Sequence, residues 1–148
     1  NGSGTNRLES LLSGDGIALI DRFLYGSNVD SVSVRSVLAD HPASVRVFNL
    51  YLGQAIRSLT VTVMATGGVW LWGGVLQRDP YIIEPLDQHL RASNQAAHKA
   101  LVEGMLFHPS RREVLEQINV FRVLDKQAAV KGILAAVLRR KQQVDRGV

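Results

Sequence analysis

The chain has 148 residues, of which 46% are hydrophobic and 20% charged, and its formal net charge is +4. This composition predicts one globular domain, or one lobe of a larger protein. The absence of cysteine excludes disulfide frameworks, thiol catalysis and cysteine-ligated zinc, and favours a cytoplasmic location. The basic residues are spread along the chain apart from a run at 139–141, so nucleic-acid binding is not predicted. The first ten residues do not have the pattern of a signal peptide.

The first part of the chain is predicted to be helical. Ser13 or Asp15 can cap a helix that ends at Gly26, and a short helix follows up to the break at Pro42. A long helix is predicted from Pro42 to about residue 65. The first helix carries an apolar stripe of Ile17, Ile20, Phe23 and Leu24. The long helix carries one apolar stripe and a second, more polar one; the apolar stripe is Val45, Phe48, Leu52, Ala55, Ile56, Leu59 and Val63, and the other is Arg46, Asn49, Gly53 and Arg57.

The uncharged stretch at 59–76, LTVTVMATGGVWLWGGVL, could be a membrane span or a buried strand between two turns. A span needs about 20 apolar residues without interruption, and this run is shorter and begins within the long helix. Each glycine of its two Gly-Gly pairs would cost a helix about 1 kcal/mol relative to alanine. The short apolar run VWLW at 69–72 is therefore predicted to be a strand, and a membrane span is not expected.

The second part of the chain alternates helices with one more strand. A helix is predicted to start at Pro80 or Pro85, with Asp79 as a possible cap, and a helical pattern continues to residue 107 with a break near Ser93. Ser110 is predicted to cap a short helix, residues 118–124 form a second strand, and an apolar stripe predicts a closing helix. The stripe consists of Val130, Ile133, Leu134, Val137 and Leu138. This order predicts an α/β fold with a parallel strand pair, and two strands alone make an incomplete sheet.

The second Gly-Gly pair, Gly73–Gly74, follows the first strand at the place where open α/β sheets bind ligands. Glycines there let a ligand approach the backbone, although the same residues also suit plain tight turns. Glu9 precedes a glycine loop and could accept hydrogen bonds from sugar hydroxyls, or it could be a solvated glutamate at a helix end. Both alternatives stay open on the residues alone.

Other residues that could carry chemistry have structural interpretations. Ser13 has no histidine close in sequence, which favours an N-cap over a nucleophile. Trp70 and Trp72 share one face of the predicted strand, where core packing is favoured over base stacking. The four histidines show no metal-ligand spacing with carboxylates, so no metal site is predicted.

Three segments taken together resemble a known family. ESLLSGDGI, VFNLYLGQAIRSLTVTVMATGGVWLWGGV and INVFRVLDKQAAVKGILAAVL resemble the C-terminal part of bacterial-type glucokinases. These belong to the actin-like, ribonuclease-H-like superfamily of sugar kinases. The resemblance covers nearly the whole chain and is weakest at 93–112. It implies the C-terminal lobe of an actin-like ATPase fold over residues 1–148, helix-rich with a short parallel strand pair, and a missing N-terminal phosphate-loop lobe.

The resemblance also implies roles for particular residues. Glu9 matches the glutamate that contacts glucose hydroxyls, and Gly67, Gly68, Gly73 and Gly74 match the two glycine pairs of the nucleotide motif. Ser13, Gly14 and Gly16 match the loop after the sugar glutamate, and in that loop Asp15 stands where the family usually has proline. In the glycine-rich start of the closing helix only Gly132 is kept, so no nucleotide contact is expected there.

The intact protein is expected to transfer a phosphoryl group from ATP, with magnesium, to the 6-hydroxyl of glucose, and to be a cytoplasmic homodimer. No catalytic residue is expected in this chain, because the family's Asn-Asp pair, its phosphate loop and its Glu-x-x-His pair are absent from the sequence. The chain alone is therefore expected to be inactive. Two alternatives remain: a non-catalytic sugar-sensing relative, which the lack of cysteine disfavours, and a dimerisation module in which the glycine pairs are only turns.

Overall fold

The structure is a computed structural model that describes residues 8–27, 33–83 and 91–145. The described residues form a helix-rich α/β fold with a short parallel two-stranded sheet, as the sequence predicts. In chain order the elements are α1 (Leu8–Leu11), α2 (Gly14–Tyr25), α3 (Val34–Asp40), α4 (Pro42–Val63), β1 (Val69–Leu71), α5 (Gly74–Arg78), a 3₁₀ turn (Pro80–Ile82), α6 (Arg91–Leu106), α7 (Arg112–Glu116), β2 (Val120–Arg122) and α8 (Ala128–Asp145).

Both predicted ends of α2 are confirmed. The Ser13 hydroxyl accepts a hydrogen bond from the Gly16 amide at 3.0 Å, and Gly26 ends the helix in the left-handed conformation with φ of 69°. The predicted apolar stripe is right at Ile17 and Ile20 but wrong at Phe23, which is 87% exposed. Asp21, one helical turn after Ile17, is buried instead, and its carboxylate accepts hydrogen bonds from two serine side chains.

The long helix α4 is confirmed, but its faces differ from the prediction. Asn49 and Gly53, assigned to the more polar stripe, are buried because α6 packs against that side. A Cβ placed on Gly53 would lie 2.1 Å from the Leu101 carbonyl oxygen, so the two helix backbones touch. In the predicted apolar stripe Val45, Phe48 and Ile56 are buried, and Leu52 and Ala55 are half-buried. The prediction is wrong beyond Ile56, since Leu59 is 53% exposed and Val63 is also exposed.

The parallel pairing of β1 and β2 confirms the predicted parallel strand pair, with Val69 opposite Val120 and Trp70 opposite Phe121. One face of the pair, which includes Val69, packs on α4 and α6 with Ile56, Leu101 and Met105. On the other face Trp70 stacks on Phe121 with 5.3 Å between ring centroids. The predicted core packing of Trp70 and Trp72 is wrong, because they are 61% and 50% exposed.

Three further expectations for the second part of the chain need correction. No break occurs at Ser93 itself, since α6 is continuous from Arg91 to Leu106, and the preceding residues 84–90 lie outside the described part of the chain. Asp79 stands at the N-cap position of the 3₁₀ turn that starts at Pro80, but its side chain makes no cap hydrogen bond, and Pro85 lies outside the described residues. The short helix α7 exists, but its N-cap position is Arg111 rather than Ser110, with no side-chain cap.

The closing helix α8 is confirmed, yet its apolar stripe is more than half exposed along its length in this chain. The core lies elsewhere, in two clusters that share Leu52, Leu71 and Ile83 at their margins. The larger cluster joins α2, α3 and α4, and the smaller one lies beneath the sheet. Among the described residues, no helix combines the length and hydrophobicity that a bilayer crossing needs.

Candidate functional site

A cavity of about 530 Å³ opens at the carboxyl end of β1. Three segments form its wall: the loop between α1 and α2, the buried side of α4, and the chain that leads from β1 into α5. Leu12, Phe48, Leu52, Leu71 and Leu76 make most of this wall apolar. The cavity therefore offers a largely apolar chamber with backbone and a few polar groups at its rim, which is typical of small-molecule sites.

Gly73 and Gly74 form one side of the opening. A Cβ placed on either glycine would have no atom within 4 Å outside its chain neighbours, so the space beside this turn is empty of protein. The Gly73 carbonyl accepts from the Gln77 amide at 3.0 Å as α5 begins. The bare backbone of the turn is thus held by α5 and faces the cavity.

The loop of Ser13 and Gly14 forms the opposite side of the opening. The Ser13 hydroxyl donates to the Ser10 carbonyl at 3.0 Å and accepts from the Gly16 amide. Both contacts tie α1 to the first turn of α2, so this hydroxyl has the structural role that the sequence predicts for it. The structure therefore brings together two segments that are 60 residues apart in sequence.

Arg78 carries the only formal charge among the described residues that line the cavity. Its Nε donates to Asp79 Oδ2 at 2.8 Å, and Asp79 is buried with 5% exposure. Arg78 was not foreseen from the sequence. The signal that could have found it is its place in LQRDP, one helical turn after the second Gly-Gly pair.

Two side chains that follow β1 in the chain bind the backbone just after β2, beside the cavity. Trp72, which lines the cavity, donates from Nε1 to the Asp125 carbonyl at 3.3 Å, and Gln77 donates to the Val123 carbonyl. Asp125 in turn accepts from Lys131 and from the Gln127 amide, which hold its pKa below the ordinary value. The carboxyl ends of both strands therefore meet at the site.

The structure separates the two glycine pairs named in the sequence. Gly67 and Gly68 precede β1 and do not line the cavity, because the strand lies between them and Gly73–Gly74. Gly68 has φ of 107°, and a Cβ there would lie 2.9 Å from the Phe121 ring, so close packing against β2 explains this glycine. Glu9 lies in α1, three residues before the first cavity-lining residue, and its side chain is outside the described part of the chain.

A second polar cluster surrounds the carboxylate of Asp21, away from the cavity. Burial alone would raise the pKa of Asp21, but hydrogen bonds from Ser27, Ser44 and His41 lower it below its ordinary value. Those bonds are 2.6 Å from Ser27, 2.7 Å from Ser44 and 3.0 Å from His41 Nδ1, and Tyr25 stacks on the His41 ring. This network joins α2, α3 and α4 and is a structural feature of the core. In the portions of the chain that the structure describes, no group of three histidine, aspartate or glutamate residues has the geometry to hold a metal ion.

The family model for glucokinase matches residues 4–141, which is almost the entire chain. The chain belongs to the glucokinase family. Searches of curated proteins and of solved structures found no match. Membership in the glucokinase family makes this chain part of a sugar kinase family, and it agrees with the resemblance that the glycine pairs and Glu9 indicate. The cavity between the Ser13 loop and the Gly73–Gly74 turn is therefore the candidate substrate site of a glucokinase family member.

Proposed function

We propose that this chain supplies the nucleotide side of a glucokinase, which in the intact protein transfers the γ-phosphoryl group of ATP to the 6-hydroxyl of glucose. The fold would be the C-terminal lobe of an actin-like ATPase. The observation that carries this proposal is the cavity at the carboxyl end of β1, which joins the Gly73–Gly74 turn to the loop that follows Glu9. The nucleotide lies in the cavity, and Glu9 accepts hydrogen bonds from the sugar beside it.

The shape and lining of the cavity support a nucleotide as its occupant. Its volume of about 530 Å³ lies within the range of small-molecule pockets. The leucine side chains offer an apolar surface to the flat faces of a purine ring, and the bare backbone of Gly73–Gly74 lets the ribose approach closely. Each of these contacts would be weakened by a side chain that enters the opening.

Phosphoryl transfer requires positioning of the two substrates and neutralisation of the phosphate charge. The described part of this chain can bind and orient the nucleotide and exclude water from it with apolar walls. No carboxylate is found among the described residues that line the cavity, so we assign no magnesium ligand there. The catalytic base and the phosphate loop of the family have no counterpart in these 148 residues. We therefore expect the isolated chain to bind nucleotide without phosphorylating glucose.

Isothermal titration calorimetry of the chain with ATP and with adenosine tests the proposed site. Gly74→Leu adds a side chain at the opening, where a Cβ meets no atom within 4 Å, so we expect the fold to be kept and binding of both ligands to fall at least about tenfold. Gly132→Leu, on the exposed helix α8, is the matched control and leaves binding unchanged. Equal affinity of the Gly74→Leu variant and the original chain would refute the site.

A third variant, Gly67→Leu, decides between one nucleotide-binding glycine pair and two. Gly67 is exposed at the opposite end of β1, and a Cβ there also meets nothing within 4 Å. The placement predicts unchanged ATP binding in Gly67→Leu. A loss equal to that of Gly74→Leu would instead support the role of both pairs that the family resemblance implies. The coding sequence upstream of this chain separates a kinase from a sugar-sensing relative, because only the kinase needs the phosphate loop and the Asn-Asp pair.

A further inference from the structure

The guanidinium of Arg78 is held at the rim of the cavity by a buried partner. Asp79 is only 5% exposed, and its Oδ2 accepts from the Arg78 Nε at 2.8 Å. The Arg78 side chain itself is 58% exposed. A buried aspartate needs a partner for its charge, and Arg78 is that partner for Asp79. The same hydrogen bond fixes the orientation of the Arg78 guanidinium through its Nε.

A second nitrogen of the guanidinium lies close to the first residue of α2. Arg78 Nη2 lies 3.5 Å from the position that a Cβ would occupy on Gly14. Residue 14 is glycine, so it places no side chain next to this nitrogen, and both residues line the cavity. The Nη groups of an arginine form a planar fork that matches the oxygen atoms of phosphates and carboxylates.

The surroundings favour an anion at this point over a neutral group. Among the described lining residues no carboxylate competes for Arg78 from within the cavity, and the walls beside it are apolar. A charge-assisted hydrogen bond is stronger next to such walls than in bulk water. A ligand with an apolar ring and an anionic tail can therefore pack its ring against the leucine side chains and accept hydrogen bonds from the arginine.

We propose that Arg78 binds the phosphate chain of the nucleotide and that Asp79 is the residue that positions Arg78 for this contact. The inference rests on the proposed nucleotide site, and it adds the group that distinguishes nucleotides from nucleosides. Arg78 increases the affinity for ATP and has no effect on the affinity for adenosine. Asp79 acts through Arg78, so it also affects the affinity for ATP and not the affinity for adenosine.

Isothermal titration of the 148-residue chain with ATP and, separately, with adenosine tests the proposal. Arg78→Gln is expected to weaken ATP binding at least about tenfold and to change adenosine binding by less than about twofold. Arg78→Lys keeps the charge but not the fork, and it restores part of the ATP affinity. The matched control is Arg112→Gln, which removes an exposed arginine paired with Glu116 on α7 and leaves both affinities unchanged.

Asp79 is tested with two variants. Asp79→Asn keeps an oxygen that can accept from the Arg78 Nε, so it lowers the ATP affinity less than Asp79→Ala does, and neither changes adenosine binding. Thermal unfolding monitors the fold of each variant, because Asp79 is buried. If a variant at Asp79 does not fold, the Arg78 variants alone decide the proposal.

The outcomes separate this inference from the proposed function. If ATP binds the original chain and Arg78→Gln binds it equally well, Arg78 has only a structural role and the inference is wrong. An equal loss of ATP and adenosine affinity would also overturn it, because it would show a change in the cavity rather than a lost phosphate contact. If neither ligand binds the original chain, the proposed nucleotide site itself fails.

Discussion

The backbones of α4 and α6 pack closely where the two helices cross, and Gly53→Ala tests this packing. A Cβ on Gly53 would lie 2.1 Å from the Leu101 carbonyl oxygen and 2.7 Å from the Met105 amide nitrogen. A Cβ on Gly104 would lie 2.2 Å from the Leu50 carbonyl oxygen. The two glycines therefore let the helix backbones meet directly, and a single methyl group has no flexible side chain to displace.

The expected loss of stability follows from these distances. A carbon next to a carbonyl oxygen needs about 3.3 Å, so the helices would have to separate by roughly 1 Å. Overpacking of a core costs about 1 to 3 kcal/mol, and a rigid backbone contact places this case near the upper end. Replacing glycine by alanine within a helix returns about 1 kcal/mol. The net result for Gly53→Ala is a loss of about 2 kcal/mol in the free energy of unfolding.

Thermal unfolding followed by circular dichroism measures this effect. For a chain of this size 1 kcal/mol corresponds to about 2 to 4 °C, so the Tm of Gly53→Ala is expected to fall by about 4 to 8 °C. Gly132→Ala on α8 is the matched control, because a Cβ there meets nothing within 4 Å. It makes the same chemical change within a helix and is expected to raise stability by up to about 1 kcal/mol.

The comparison of Gly53→Ala with Gly132→Ala decides whether the backbones of α4 and α6 are in contact. If Gly53→Ala unfolds at the same temperature as the original chain, or above it together with Gly132→Ala, α4 and α6 do not touch at this point. The same result at Gly104→Ala would extend that conclusion to the whole crossing. Urea unfolding of the same variants checks that the m-value, and so the surface exposed on unfolding, is unchanged.

Four further predictions concern the core, the sheet, the closing helix and the sugar. The pKa of Asp21 is lowered, so its carboxylate stabilises the fold at pH values above the ordinary pKa of 3.8, and this stabilisation is lost as the pH falls below that value. In urea titrations the difference in unfolding free energy between the original chain and Asp21→Asn should therefore narrow below about pH 4. A difference that does not change with pH would contradict the lowered pKa. Gly68→Ala is expected to cost about 1 to 3 kcal/mol in the same assay, because its φ of 107° and the Phe121 ring both oppose a side chain; no loss of stability would show that the turn is relaxed. Leu38→Ala removes a fully buried side chain and should cost about 2 to 5 kcal/mol. Leu134→Ala, at a site 57% exposed, should change stability by less than about 0.5 kcal/mol. A large loss at Leu134, together with the mass of two chains in light scattering, would contradict this exposure and support the expected homodimer. In the intact kinase, Glu9→Gln is expected to raise the KM for glucose at least about tenfold with little change in the KM for ATP, and an unchanged glucose dependence would refute the sugar contact.

Several features of the fold could be predicted from the sequence because their causes are local. Ser13 and Gly26 act through hydrogen bonds and backbone conformation within one turn of α2, so both ends of that helix were predictable. The strand at Val69–Leu71 was marked by apolar, β-branched and aromatic residues between glycine pairs. The parallel pairing followed from the helices that lie between the two strands.

The candidate site was only partly predictable for the same reason. The sequence indicated Gly73–Gly74 and Glu9, because residue type and spacing marked the turn after the strand and the loop after the glutamate. It could not show that the turn and the loop enclose one cavity, or that Gly67–Gly68 lie at the other end of β1. It also offered no reason to select Arg78, whose importance comes from the buried Asp79 beside it and from its place in the wall of the cavity.

The sequence by itself determined the order of the longer helices and the two strands, both ends of α2 and the family, but not the short helix α5. Each of the features that it determined depends on residues that are close together in the chain or on a pattern over its whole length. Only the tertiary structure decided which faces are buried. Hydrophobic periodicity predicted burial of Phe23, Leu59 and Trp70, yet all three are exposed, while Asn49 and Gly53 are buried. A stripe of apolar residues states which side of a helix or strand can be buried, but burial itself requires a second element on that side, and the position of that element is set by contacts between residues far apart in the chain.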